Sequence, residues 1–202
     1  MLMAVNASHP EPRKIARAVA ALDAGEVIAY PTDTSYGLGC DSRSKKAIDR
    51  LYAMKQMDRA HPLAFICPDL GDIARYAIVE KYHYRILRRL LPGPYCFILN
   101  ATREVPKMLQ SKRKTVGIRV PANEIVIALA RGLGRPLVST TAQRKGDEHP
   151  MVDPREIDWA FPQLGLVVDG GAGGELPSTI IDLTTDAPEI LREGAGPVDV
   201  IA

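Results

Sequence analysis

Four cationic side chains and a scatter of hydroxyls stand at the ends of apolar runs in this chain of 202 residues, where α/β sheets build their sites. After the run VIAYP come Thr32, Asp33, Thr34 and Ser35, then Tyr36 and glycines that permit close backbone approach. Lys55 and Arg59 close a helical stretch and precede the run PLAFIC. Arg119 interrupts the otherwise apolar GIRVP, where an unpaired buried guanidinium is costly, so it either snorkels to an edge or pairs with an acid of the protein or of a ligand. Ser139, Thr140 and Thr141 end another run and lead to Gln143; Ser178, Thr179 and Asp182 lie in PSTIID, and Arg192 lies in REGAG. Such a set suits the holding of phosphates and other anions. Taken singly, each feature also fits a plain structural role, a polar turn or a cation offsetting a helix macrodipole.

Other chemistries are excluded by spacing. The Walker pattern G-x-x-x-x-G-K-[ST] is absent, and YGLGCD and DGGAGGE both lack the third glycine of G-x-G-x-x-G. No G-x-S-x-G marks a nucleophile elbow. Cys40, Cys67 and Cys96 are odd in number and far apart, which reads as buried reduced thiols. His9, His61, His83 and His149 form no metal-binding spacing, so neither a transition metal nor a tightly bound cofactor is expected.

Composition is that of a folded domain, with 46% hydrophobic and 25% charged residues. No apolar run is long enough for a membrane span, and the N-terminus lacks a signal pattern, so a cytoplasmic location without membrane contact is expected. The formal charge of +2 conceals a division. Residues 1–146 carry 24 Lys/Arg against 12 Asp/Glu, and residues 147–202 carry 2 against 12. Part of the excess lies between 75 and 114, more than a small substrate requires, and it points to RNA or tRNA.

The elements that would position these residues follow from periodicity. Ile15, Ala18, Val19 and Leu22 mark a helix stopped near Gly25; Ala47, Ile48, Leu51 and Tyr52 mark a second. A basic helix spans 80–91, and NEIVIALARGLG forms another ending at Gly134. Strands are expected at 27–30, 62–67, 95–99 and in TVGIRVP, where Val116, Ile118 and Val120 face opposite to Thr115, Gly117 and Arg119. PLVSTTA, GLVVDGG, STIIDLT and APEILREG supply further strands, and TDTSYGLGCD reads as a loop. Roughly seven strands interleaved with four or five helices give one α/β domain over residues 10–200.

In this order, YPTDTSYGLGCD, PLAFIC, the LPGP turn, GIRVP, PLVSTTA, DGG, PSTIIDL and REGAG resemble the YrdC/YciO family, which includes the threonylcarbamoyl-AMP synthases of tRNA modification. The resemblance runs from about residue 10 to residue 196 and looks most like the YciO branch. It implies a twisted mixed parallel and antiparallel sheet with flanking helices and a positively charged concave face. It implies a nucleotidyltransferase acting on L-threonine, bicarbonate and ATP with Mg²⁺, releasing pyrophosphate. No protein nucleophile is needed, because positioning and charge neutralisation can carry the transfer.

Carried over residue by residue, the resemblance assigns Thr34, Arg119, Thr141 and Ser178 to threonine, with Arg119 holding its carboxylate. Lys55, Arg59, Ser139, Gln143 and Arg192 fall to the nucleotide, with Lys55 and Arg59 as the catalytic cations. Two motifs depart from the family pattern. Met57 replaces the arginine of K-x-R, leaving Arg59 as the nearest substitute, and S-x-N becomes Thr141 and Gln143. A shift of about 1 Å in a positioning site costs on the order of a hundredfold in rate, so these changes imply a weakened synthase. The alternative is a protein of the same fold that binds tRNA or double-stranded RNA by shape and phosphate contacts, without efficient synthesis.

Overall fold

The structure is a computed structural model, and it describes residues 1–185 and 187–201. Ten strands form one mixed sheet: β1 (Leu2–Ala4), β2 (Ile28–Tyr30), β3 (Gly37–Asp41), β4 (Ala64–Ile66), β5 (Tyr95–Asn100), β6 (Thr115–Arg119), β7 (Leu137–Thr141), β8 (Leu166–Asp169), β9 (Thr179–Asp182) and β10 (Glu189–Arg192). Their spatial order is β1-β8-β2-β3-β7-β4-β6-β5-β9-β10. The helices are α1 (Pro12–Asp23), α2 (Lys45–Lys55), α3 (Leu70–Tyr76), α4 (Lys81–Leu90), α5 (Glu124–Leu133) and α6 (Pro154–Ala160). This is the α/β class expected, and no helix among the described residues is long and apolar enough to cross a membrane.

Alternation along the strands separates two cores. Val27, Ala29, Leu38, Phe65, Phe97, Ile118 and Val138 face one way and pack with α2, α3 and α4. Ile28, Tyr30, Ile66, Leu137 and Val168 face the other way and pack with α1 and α5. Fully burying an aromatic such as Phe97 contributes about 2–3 kcal/mol. The second layer reaches only part of the sheet. Beyond Tyr30, Ile66 and Leu137, that face presents Ser139, Ala64 and Gly117, and a cleft opens there.

Four differences from the sequence reading have local causes. The segment after Tyr36 is a strand, not a loop, because β3 pairs antiparallel with both β2 and β7. Its glycines hide the strand signal, yet a Cβ at Gly37 or Gly39 would lie 2.8 or 2.6 Å from the Tyr30 side chain. The short helices α3 and α6 have too few turns for a periodic pattern, although Asp69 and Asp153 cap them by accepting from the backbone N–H groups of Asp72 and Arg155. The sheet also starts ahead of residue 10, since β1 pairs in parallel with β8.

Candidate active site

The floor of the cleft is a row of small residues across three neighbouring strands. Ser139 of β7 stands opposite Ala64 of β4, which stands opposite Gly117 of β6. On one side the row continues to Gly39, the space above which the Tyr30 side chain occupies. The cavity has a volume of about 150 Å³ and opens toward solvent. Arg119, Ser139, Thr141, Ser178 and Arg192 all line it, which brings five of the sequence-assigned residues together.

Arg119 forms the innermost cationic contact. Its Nη2 donates to Asp33 Oδ1 at 2.9 Å and to Thr34 Oγ1 at 3.1 Å. Asp33 Oδ2 accepts the backbone N–H of Ala122 at 3.0 Å, so one carboxylate ties the PTDT turn to the strand end beyond β6. Both partners are nearly enclosed, with side-chain exposures of 11% for Arg119 and 8% for Asp33. The pairing resolves the alternative left by the sequence in favour of an acid of the protein. The Nε of Arg119 has no partner among the described residues.

Thr34 is spoken for differently. Thr32 donates to the Ser35 carbonyl at 2.7 Å, so the 3.1 Å contact between the two threonine hydroxyls must be donated by Thr34. With Arg119 donating to it, the Thr34 hydroxyl has given its one hydrogen and accepted one bond. It braces the arginine from behind and does not line the cavity.

A second cationic group lies beside the first cavity, in an annex sharing His61, Thr140, Thr141 and Arg192 with it. Lys55 is the last residue of α2, which ends because Gln56 takes a left-handed conformation, φ 50°. Its ammonium donates to the backbone carbonyl of Gln143. Burial lowers the Lys55 pKa to about 8, partly offset by Asp147. The Gln143 side chain donates to the Asp147 carbonyl at 2.7 Å, and Arg192 donates to the Ser178 carbonyl at 2.7 and 3.1 Å. Met57 reaches the same annex, its Sδ 3.8 Å from the Thr140 hydroxyl.

The structure does not bring Arg59 into the cleft. Its guanidinium pairs with Asp49 at 2.6 Å, lies 4.8 Å from the centre of the Tyr52 ring, and borders an outer basin that also includes Lys112 and Arg113. Three other residues have places that the sequence reading did not assign. His61 borders the cleft, the annex and the basin, and loss of solvent together with Lys55 and Arg192 lowers its pKa. Tyr36 donates to the Gly171 carbonyl at 2.6 Å and tethers the DGG loop to the cleft wall. Asp33 was visible only as one polar residue among four. Its role needed the contact with Arg119, 86 positions away.

The cleft is equipped to hold anions rather than to attack. Among the described residues its lining contains no carboxylate, and burial raises the pKa of Cys96, which keeps its thiol protonated. The three cysteines are buried and unpaired, as expected. Among the described residues, no group of three His, Cys, Asp or Glu side chains could hold a metal ion.

Residues 20–194 match the family model Sua5_yciO_yrdC, described as telomere recombination. The uncharacterized protein YciO of Escherichia coli (strain K12) is 41% identical over 196 residues, covering 96% of this chain and 95% of that one. Its crystal structure superposes with a TM-score of 0.96, at 39% identity and over 100% of this chain and 99% of that one. The threonylcarbamoyl-AMP synthase of Mus musculus is 35% identical over 202 residues, 94% of this chain and 71% of that one. The P. abyssi Sua5 structure complexed with L-threonine has a TM-score of 0.92 at 27% identity, over 100% of this chain and 59% of that one. By sequence and by fold, this chain belongs to the Sua5/YciO/YrdC family.

Proposed function

We propose that the cleft binds L-threonine and Mg-ATP and joins them with bicarbonate into threonylcarbamoyl-AMP, more slowly than an unaltered family pocket does. The supporting observation is that cationic side chains line and adjoin a small-residue floor. Arg119, oriented by Asp33 and Thr34 and lining the cleft, suits a carboxylate. Lys55 and Arg192, in and beside the annex, suit phosphates. The threonine amine displaces water from bicarbonate to form a carbamate, a carbamate oxygen bonds to the α-phosphorus, and the bond to pyrophosphate breaks. The protein's share is to align these groups and spread the phosphate charge, with no covalent step on the chain. The product would serve tRNA modification in the cytoplasm, made by a single domain that includes β1.

The direct test mixes the protein with L-threonine, bicarbonate and Mg-ATP and follows the adenylate and pyrophosphate together. Product that depends on all three substrates supports the reading. Threonine-independent ATP breakdown contradicts it.

A second reading, RNA binding, rests on a different surface. Ile86, Leu87 and Leu90 of α4 pack into the core opposite the cleft, leaving Lys81, Tyr82, Tyr84, Arg85, Arg88 and Arg89 exposed. None of these cations forms a salt bridge among the described residues. Such a surface fits a phosphate backbone, and its affinity should fall steeply with salt. Binding of a folded tRNA that is unchanged by Arg85→Glu with Arg88→Glu would remove this surface from consideration.

A further inference from the structure

We infer that Tyr30 is a positioning residue that holds the Ser139 hydroxyl as a fixed hydrogen-bond donor to an oxygen of the ligand in the cleft. The inference rests on the proposed binding of threonine and ATP, and it concerns a side chain outside the cavity lining.

Tyr30 is completely buried, and its phenol lies 2.6 Å from Ser139 Oγ. No other partner of that phenol is present among the described residues. A buried O–H with a single neighbour donates to it, because an unmade bond there is costly. Burial also raises the Tyr30 pKa well above its ordinary value, so the phenol keeps its proton throughout the working range. Ser139 has one hydrogen to give. With Tyr30 donating to its oxygen and no acceptor for its own hydrogen among the described residues, that hydrogen is left for the cleft.

Two further observations give this arrangement a purpose. Gly37 and Gly39 leave room for the phenol: a Cβ on Gly37 would lie 2.8 Å from the Tyr30 ring, and one on Gly39 would lie 2.6 Å from the Tyr30 oxygen. The strand gives up side-chain packing at two positions to admit one ring and its hydroxyl beside the floor. On that floor, Ala64 and Gly117 offer no side-chain hydrogen bond, so Ser139 supplies the polar contact of the row. The free hydrogen calls for a ligand acceptor, such as a carboxylate, carbamate or phosphate oxygen, and leaves the second lone pair of Ser139 Oγ open.

The test is a double-mutant cycle on the full chain, reading Kd for L-threonine and for ATP by calorimetry and Tm without ligand. Tyr30→Phe should weaken the ligand that meets Ser139 by about tenfold. In the Ser139→Ala background it should change Kd by less than about twofold. Equal losses in both backgrounds would mean that Tyr30 acts only as packing and would overturn the inference. Without ligand, Ser139→Ala leaves the phenol without its acceptor, so adding Tyr30→Phe should raise Tm by a few degrees. No recovery would also overturn it. If the wild-type protein binds neither L-threonine nor ATP, the proposed function fails, and the Tm comparison then decides the inference by itself.

Discussion

The two cationic ends of the cleft are built in different ways. At the inner end, Arg119, Asp33 and Thr34 interlock through side chains anchored at strand ends, and the carboxylate also secures the backbone at Ala122. At the outer end, Lys55 leans on a loop carbonyl, Gln143 bonds within its own loop, and Arg192 reaches back from the edge strand β10. Of the three residues that depart from the family pattern, Met57 and Gln143 line the outer annex and Thr141 borders both the annex and the cleft. Rigidity thus accompanies the intact motif and loop support accompanies the altered one. A carboxylate site tolerates little displacement of a bidentate fork, whereas phosphates can be held by point charges from several directions.

The largest expected effect is at the inner end. Arg119→Ala should abolish L-threonine binding, a loss of more than about a hundredfold, and should lower Tm because it leaves Asp33 enclosed without its partner. Calorimetry and thermal melting read the two consequences. Retained threonine affinity would erase the contrast between the ends.

At the outer end the contrast can be sharpened by repair. Met57→Arg supplies a cation beside Lys55 and Thr140, and it should raise the rate of threonylcarbamoyl-AMP formation by about tenfold or more. Threonine affinity should stay within about twofold. A gain in threonine affinity instead of rate would show that the two ends are not separate.

Proton linkage gives a smaller effect with a definite sign. Burial lowers the Lys55 pKa to about 8 from its ordinary value near 10.5. A bound phosphate raises it again. Between about pH 8 and 10, ATP binding should therefore take up a proton, and affinity should fall by up to about tenfold per unit as pH rises. Titrations in buffers of different ionisation enthalpy measure the uptake. Lys55→Met should remove it. In the absence of ligand the same shift makes the fold gain stability as pH rises through that window, because the unfolded chain holds the proton longer.

Arg59→Ala should have the least effect, under about twofold on either ligand, since Asp49 and Tyr52 hold this guanidinium outside the cleft.

Most of the fold was legible because its signals are local. The period of α1, the Asn123 and Gly134 ends of α5 and the alternation of β6 are all visible in a short window. The strand after Tyr36 was not, because its glycines answer to Tyr30 across the sheet. In the site, the residue types were readable and Arg119, Ser139, Thr141, Ser178 and Arg192 do converge. What could not be read was which acid satisfies Arg119, or that Arg59 points away. Those depend on contacts between distant segments. Tyr30 looked like an ordinary apolar residue, and only the 2.6 Å bond to Ser139, 109 positions away, gives it a role.

The most direct test of the central claim is a single reaction series with L-threonine, bicarbonate and Mg-ATP, comparing the wild-type protein, Met57→Arg and Arg119→Ala. Slow threonylcarbamoyl-AMP formation by the wild type, faster formation by Met57→Arg and none by Arg119→Ala is the expected result. Absence of product from both the wild type and Met57→Arg at high protein concentration would contradict the account.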